Sequence, residues 1–530
     1  MVPFSPQSQL SAYQTHLMGF HFTYERTFRL PKDFYKTRVL LHFGAADQIA
    51  EVYINNQLCG KHTGGYLPFT FDITKALNQP GEENMIHVKV TDTLSETYPY
   101  GKQRMNRGGM WYTPVSGIWQ SVWLESVPDT YIEKLVITPN LTGIELNVLS
   151  GGTKTENQGY QVTIPVQENE ITIHGVCGQR LQIDLKLEME KQKIAFEPKL
   201  WTPDTPYLYD MEVSCGQDCV TSYFALRTIT IEKKDKIPQI CLNGKPIFLH
   251  AVLDQGYYSD GHFLPAGEKG YTEDILAMKK LGFNTLRKHI KIEPETFYYD
   301  CDRYGMLVMQ DMVNSGHYSF IRDTALPSIG NFRHHDHLGG GSKKRKQFFV
   351  QHTMETVRTL YNHPCIVYYT IFNEGWGQFD SDALYETVKN LDSTRIIDST
   401  SGWFFGKKTD VKSLHIYFNN KEVPLAKSKP TIVSECGGYS YEISDHFYCM
   451  YSHYGYGNCD NSEELTKRIT DMYQMMILPA IGKGLCGCVY TQLSDVEDEI
   501  NGLLTYDRRI IKADQEPMKE LGRKIRELTG

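Results

Sequence analysis

Ile366-Val367-Tyr368-Tyr369-Thr370-Ile371-Phe372-Asn373-Glu374-Gly375-Trp376-Gly377-Gln378 is the stretch around which the rest of the sequence is organised. From Ile366 to Phe372 apolar or near-apolar residues follow one another without polar alternation. That is the pattern of a strand covered on both faces, as in a parallel sheet flanked by helices. The run stops at Asn373-Glu374-Gly375, which sets a carboxylate at the C-terminal tip of the strand. Barrels of alternating strands and helices keep their catalytic groups at that edge. Taken alone, the tripeptide is equally compatible with a polar turn after any buried strand.

A second stretch, Pro430-Thr431-Ile432-Val433-Ser434-Glu435-Cys436-Gly437-Gly438, is another short apolar strand ending in a glutamate. Two carboxylates at strand tips suit glycoside hydrolysis, which needs one acid for the departing oxygen and one carboxylate for the anomeric carbon.

Outward from these stretches, strand-like and helix-like runs alternate from about Ile237 to the end. Candidate strands close near Leu253, Leu286, Gln310, Phe372, Thr400, Tyr417, Ser434 and Tyr490, which predicts a (β/α)8 barrel over residues 237–530. The basic run Lys343-Lys344-Arg345-Lys346 reads as a solvated helix start, and a His- and Gly-rich loop over residues 319–341 follows the third strand. Before the barrel the texture is β. Val39, Leu41 and Phe43 alternate with polar neighbours, Asn55-Asn56 marks a tight turn, and Ile86, Val88 and Val90 alternate again. Residues 1–127 are expected to form a jelly-roll β-sandwich and residues 128–236 an immunoglobulin-like one. In the second, Leu181, Ile183, Leu185 and Leu187 predict a single strand with one wet face, and the charged run Glu232–Lys236 predicts the boundary with the barrel.

The 530-residue chain is long enough for about three domains, and 41% hydrophobic with 22% charged residues is an ordinary globular composition. A net charge of −8 leaves no electrostatic footprint for nucleic acid. No apolar run reaches the ~18 residues of a membrane span, and Met1-Val2-Pro3-Phe4 begins no secretory signal. Twelve scattered cysteines fit a reduced compartment, so a cytoplasmic protein is expected.

The two glutamate stretches, and the order of two sandwiches before a barrel, resemble glycoside hydrolase family 2. Ser116-Gly117-Ile118-Trp119-Gln120-Ser121-Val122-Trp123-Leu124-Glu125 is similar to the motif of the family's first domain, as is Gly64-Gly65-Tyr66-Leu67-Pro68-Phe69 to another of its recurrent stretches. Leu200-Trp201-Thr202-Pro203-Asp204-Thr205-Pro206-Tyr207-Leu208-Tyr209 and Ser222-Tyr223-Phe224-Ala225-Leu226-Arg227 resemble the second domain's motif and its exit.

The resemblance implies a retaining β-glycosidase. Glu374 would be the general acid/base, Asn373 would hold the sugar 2-hydroxyl, and Glu435 would be the nucleophile. Phe283-Asn284-Thr285-Leu286-Arg287-Lys288-His289 resembles the stretch that carries an arginine and a histidine on the second strand. The family spacing there is Arg-x-x-His, whereas this chain has Arg287-x-His289. Arg287 is placed to keep Glu435 ionised. His250, Asp254, Asp311, His415, Tyr417 and Tyr490 are further substrate-binding candidates near strand tips. Tyr417 corresponds to the family's tyrosine beside the nucleophile, and Tyr490 falls where members carry a sugar-flooring aromatic.

The irregular segment 99–112, with Trp111, is expected either to close one side of the pocket or to pack between domains. Some family members bind magnesium after the third strand. Asp311-Met312-Val313-Asn314-Ser315-Gly316-His317 lacks the expected glutamate, so no metal and no cofactor are expected here. The cluster His334-His335-Asp336-His337 is read as loop. The β-glucuronidases of the family carry Asn-x-Lys after the eighth strand, where this chain has Glu499 and Asn501. That acidic stretch favours a neutral sugar, of the β-galactosidase type, over a glucuronide or galacturonide. A carbohydrate-binding protein without turnover is the alternative of another class. The expected partner is an oligosaccharide or glycoside, with homo-oligomers common in the family. The chain is expected to close on a last barrel helix at Gln515–Leu528, without the further domains of larger members.

Overall fold

The eight apolar runs form the strands of one parallel sheet: β1 (Leu249–Asp254), β2 (Thr285–Lys288), β3 (Leu307–Asp311), β4 (Ile366–Asn373), β5 (Ile396–Ser401), β6 (Lys412–Ile416), β7 (Thr431–Gly437) and β8 (Leu485–Thr491). The computed structural model describes residues 2–13, 20–153, 157–328, 336, 341–417, 422–448 and 453–529. The strands are hydrogen-bonded in the order β5-β4-β3-β2-β1-β8-β7-β6. Because β8 returns to pair with β1, the sheet curls into a nearly closed barrel, with β5 and β6 side by side at the seam. Every residue of β4 is buried, as its unbroken apolar run requires. One face fills the barrel and the other meets helices such as Lys343–Leu360 and Ser381–Leu391.

The helix at Lys343 starts where Ser342 accepts a hydrogen bond from the Arg345 amide. Its basic start is only partly solvated, contrary to expectation. Arg345 is buried and donates to the Ser315 and Gly377 carbonyls, tying the loop after β3 to the loop after β4. Such a role needs a long forked donor, which the run of positive charge disguises in the sequence.

Ahead of the barrel lie two β-sandwiches. In the first, the sheet of His21–Arg29, Glu83–Thr91, Ile49–Ile54 and Gln57–Thr63 faces the sheet of Phe69–Asp72, Arg38–Phe43 and Val122–Val127. Val39, Leu41 and Phe43 meet Val52, Val88 and Val90 in its core. Asn55 and Asn56 take positive φ of 50° and 64°, the turn geometry that asparagine tolerates best after glycine. The second sandwich packs Thr130–Pro139, Gly143–Gly152 and Arg180–Asp184 against Asn169–Val176, Gly159–Val166, Tyr209–Cys215 and Asp218–Phe224. Its expected long strand through Leu187 is corrected, since the chain turns into a helix, Leu185–Lys191, at Asp184. Asp184 accepts from the Leu187 amide as an N-cap, and Leu185 and Met189, one turn apart, are the buried positions.

The charged run expected to mark the domain boundary forms a hairpin tip. Ile229–Lys234 pairs with Ile237–Leu242 across Asp235 and Lys236, both at positive φ. Beside it, Arg227 is buried and donates to the carbonyls of Pro364 and Ile366, fastening the exit of the second sandwich to the start of β4. Trp201 donates to the Asp302 carbonyl at 2.7 Å. Eleven cysteines among the described residues are free thiols, and no described helix is long and apolar enough to cross a membrane.

The same junction holds a buried ion pair. His363 Nδ1 lies 2.8 Å from Asp302 and Nε2 lies 2.7 Å from Glu295, while Tyr223 of the second sandwich donates to Asp302. Burial alone would lower the His363 pKa, but Asp302 and Glu295 outweigh it and raise it to about 9. A histidine raised on folding contributes stability that is complete below its unfolded value, ~6.5, and is lost as pH climbs through the folded value. Thermal melting is therefore expected to fall between about pH 6.5 and pH 9. His363→Gln should melt lower than the native chain at pH 6 and show a flatter slope over that range. An unchanged slope would remove His363 from the account.

Candidate active site

Arg287 enters the barrel from β2 and is wholly buried. Its Nε donates to both oxygens of Asp311 at 3.1 Å, and Nη1 donates to the Ser434 carbonyl at 2.9 Å and to Glu435 Oε1 at 3.1 Å. Nη2 donates to Asn373 Oδ1 at 2.9 Å. One side chain thus joins β2, β3, β4 and β7. Burial pulls the guanidinium pKa down, but Asp311 and Glu435 more than reverse this and hold it above its usual value. Asp311 is kept below the usual carboxylate range by Arg287 and His289, which overcome its own burial.

Glu435 sits on β7 with Oε1 facing Arg287 and Oε2 taking a short hydrogen bond from the Tyr417 hydroxyl. Burial and the neighbouring Glu435 raise the Tyr417 pKa, so the phenol remains a donor. Thr491 Oγ1, at the tip of β8, lies 3.2 Å from the same hydroxyl. Glu374 follows β4 in a left-handed backbone conformation, φ 54°, with its amide donating to the Ser401 carbonyl. Its side chain keeps 18% exposure against 7% for Glu435, so Glu374 is the more solvent-facing of the two. His415 on β6 stands between them, with Nδ1 2.8 Å from Glu374 Oε1 and 3.4 Å from Glu435 Oε2. One ligand-type atom from each of Glu374, His415 and Glu435 lies within 4.8 Å of the others. Such a trio has the residue types of a metal site, yet both Glu435 oxygens are already committed to Arg287 and Tyr417. Asn373 presents its Nδ2 with no protein partner among the described residues, as a donor to a ligand requires.

The remaining candidates divide sharply. His289 belongs to the site's support, with Nδ1 2.6 Å from Asp311; burial and nearby Lys102 push its pKa down to about 4 against the pull of Asp311. His250 is corrected: it lies at the N-terminal end of β1, where its nitrogens meet the Gly282 carbonyl and the Tyr473 hydroxyl. Asp254 is corrected too, for it pairs with Lys288 at 2.7 Å beside the helix layer. Arg287 points into the barrel, so strand alternation turns Lys288 outward and Asp254 with it. Tyr490 is likewise corrected. It packs with Gly437 on the outside of β8, and its neighbour Thr491 faces the site. Three of the four cluster residues His334-His335-Asp336-His337 lie outside the described residues. Asp336 accepts from Gln378 and Ser381.

Several residues that frame the site escaped the sequence reading. Tyr456 lies against the Tyr417 ring at 4.6 Å, and Tyr454 reaches its hydroxyl at 3.2 Å. The Tyr454-x-Tyr456 pair in the segment after β7 was the available signal. Trp376, two residues past Glu374, packs on Trp111 at 5.2 Å, and Trp111 in turn meets Tyr318 at 5.1 Å. Segment 99–112 of the first sandwich therefore stands on the barrel mouth. It also grips the acidic stretch after β8. Arg107 pairs with Asp498 at 3.0 Å, the Thr113 amide donates to Glu497, and Tyr112 donates a short hydrogen bond to Glu499.

Comparison with known proteins adds the family. The chain is 25% identical over 439 residues to a beta-galactosidase of Thermoanaerobacter pseudethanolicus, covering 79% of this chain and 54% of that protein. It is 26% identical over 430 residues to human beta-glucuronidase, covering 73% and 60%. It thus spans only a little over half the length of these relatives. A beta-D-glucuronidase structure from Dictyoglomus thermophilum shares its fold, with a TM-score of 0.76, 20% identity and coverage of 99% and 93%. A beta-galacturonidase structure from Eisenbergiella tayi gives a TM-score of 0.70 at 18% identity, with coverage of 98% and 92%. A galactose-binding domain-like model of glycosyl hydrolase family 2 matches residues 6–115, the family 2 model itself residues 130–227, and its TIM barrel model residues 231–481. Matched in succession through both sandwiches and the barrel, the chain belongs to glycosyl hydrolases family 2.

Proposed function

We propose that the chain is a retaining, exo-acting β-glycosidase. The observation that carries this is the approach of Glu374 and Glu435, an oxygen of each within 4.8 Å. So close an approach is in keeping with the ~5–5.5 Å spacing of retaining enzymes and supports that reading. Glu435, fixed by Arg287 and Tyr417, attacks the anomeric carbon. Glu374, nearer to solvent, protonates the departing oxygen and then takes a proton from the incoming water. Asn373 Nδ2 meets the 2-hydroxyl while Arg287 fixes the amide's orientation. The wall of Trp111, Tyr318 and Trp376 narrows one side of the mouth and supports action at chain ends.

For the sugar itself we favour a neutral pyranoside of the galactoside type. Glu499 lies near Tyr454 and Tyr456, so a third carboxylate borders the site and disfavours an anionic ring. A uronide is the second reading. One observation favours it: Lys102 lies close to His289 and has no carboxylate partner among the described residues. The three acidic residues of the 497–499 stretch are already held by the first sandwich.

A nitrophenyl panel of β-galactoside, glucoside, mannoside, glucuronide, galacturonide and α-L-arabinopyranoside tests both readings, with the galactoside expected to be turned over fastest. A Lys102→Ala variant that selectively loses a uronide would decide for the second. Glu435→Gln and Glu374→Gln should each lower kcat on the best substrate by at least ~10²-fold, and a 2-fluoro glycoside should label Glu435. Label on another residue would sink the assignment. Trp111→Ala should raise KM or shift aglycone preference as well as lower melting, because the ring is buried against Trp376 and Tyr318. Lost stability with native kinetics would make that wall packing alone.

A further inference from the structure

Glu374 and Glu435 are held in very different ways. Glu435 has a partner on each oxygen, Arg287 from β2 and Tyr417 from just past β6. The Glu374 carboxyl has one side-chain hydrogen-bond partner among the described residues, His415 Nδ1 at 2.8 Å. An acid that must aim its proton at a departing oxygen depends on orientation, and here a single imidazole supplies it.

The imidazole is itself well fixed. Its Nε2 lies 3.1 Å from Ser401 Oγ, and Ser401 continues to Ser434 at 3.0 Å and Ser413 at 3.2 Å, a buried hydroxyl cluster linking β5, β6 and β7. The Trp403 ring stands edge-on at 5.4 Å. Gly402, at φ +94°, leaves the space the ring occupies; a Cβ there would come within 2.9 Å of Nδ1. The two ring nitrogens thus join this hydroxyl cluster on one side to the carboxyls on the other.

We propose that His415 is a positioning residue for the acid/base glutamate. It does not bind sugar. It holds the Glu374 carboxyl toward the leaving-group oxygen in the first step, and holds the same carboxylate for the incoming water in the second. This rests on the assignment of Glu374 as the acid/base. Because Nδ1 also lies 3.4 Å from Glu435 Oε2, the same nitrogen keeps the two carboxyls at a fixed spacing in the free enzyme.

The test is a series of aryl and alkyl β-glycosides of the preferred sugar, from 2,4-dinitrophenyl to methyl. A leaving group as good as dinitrophenolate departs without a proton, so His415→Ala should leave its kcat/KM within about threefold. For phenyl and methyl glycosides kcat/KM should fall on the order of ten- to a hundredfold, through kcat and not KM. His415→Asn, which can still donate to a carboxylate, should recover part of that loss. Ser401→Ala should show the same selectivity in weaker form. Equal losses across the series, or a uniform rise in KM, would overturn the proposal and make His415 a support of the nucleophile or of the sugar. If His415→Ala does not fold, His415→Asn and Ser401→Ala are read on the same series, and a flat dependence in both overturns it. A native chain inert to every member overturns the assignment of Glu374 beneath the proposal, whereas native turnover with flat variants overturns the proposal alone.

Discussion

A single buried guanidinium organises this site. Arg287 has no solvent to satisfy it, so its cost of burial is offset only by partners, and those partners are the Asp311 and Glu435 carboxylates, the Asn373 amide and the Ser434 carbonyl. They come from β3, β4 and β7, so the charge can be satisfied only when these three strands and β2 are in register. The barrel's geometry and the placement of Glu435 and Asn373 are one requirement. Removing either carboxylate would leave an unbalanced charge, which is far more costly in a dry interior than at a surface.

Much of this could be read from the sequence, for physical reasons. Strands buried on both faces must be continuously apolar, so β4 and β7 announced themselves, and the polar residue ending each run marked the barrel's active edge. Alternation is a weaker guide. Leu181 to Leu187 repeats every second residue, but Leu185 and Met189 also lie one helical turn apart, and Asp184 caps the helix that forms. The same ambiguity misplaced Tyr490 and Asp254, since a run buried on both faces gives no sign of which residues point inward. His250 was misplaced along the strand, at the end away from the site. Contacts across domains left no local trace. Nothing near Arg107 or in the 497–499 stretch indicates that they meet.

Those contacts change how the first sandwich should be regarded. Residues 99–113 place Trp111 on Trp376 and neutralise the acidic stretch after β8, so the sandwich completes the barrel mouth as well as preceding it in the chain. Gln103 anchors the segment from behind. It is wholly buried, donates to Asp47 and to the Tyr66 hydroxyl, and accepts from the Val115 amide. One face of the segment is thus fixed to its own domain while the other meets the barrel.

The pairing of Arg107 with Asp498 spans 391 positions of the chain. At the usual ~5–20 residues per second of synthesis, these two side chains emerge from the ribosome roughly 20–80 s apart. Over that interval β1 also lacks its neighbour β8, so a growing parallel sheet waits with an unpaired edge and uncovered apolar faces. Both glutamates are already present before the pocket has its last wall. The long delay between the first and last parts of the site therefore makes the arrival of β8 the step that ends this exposure.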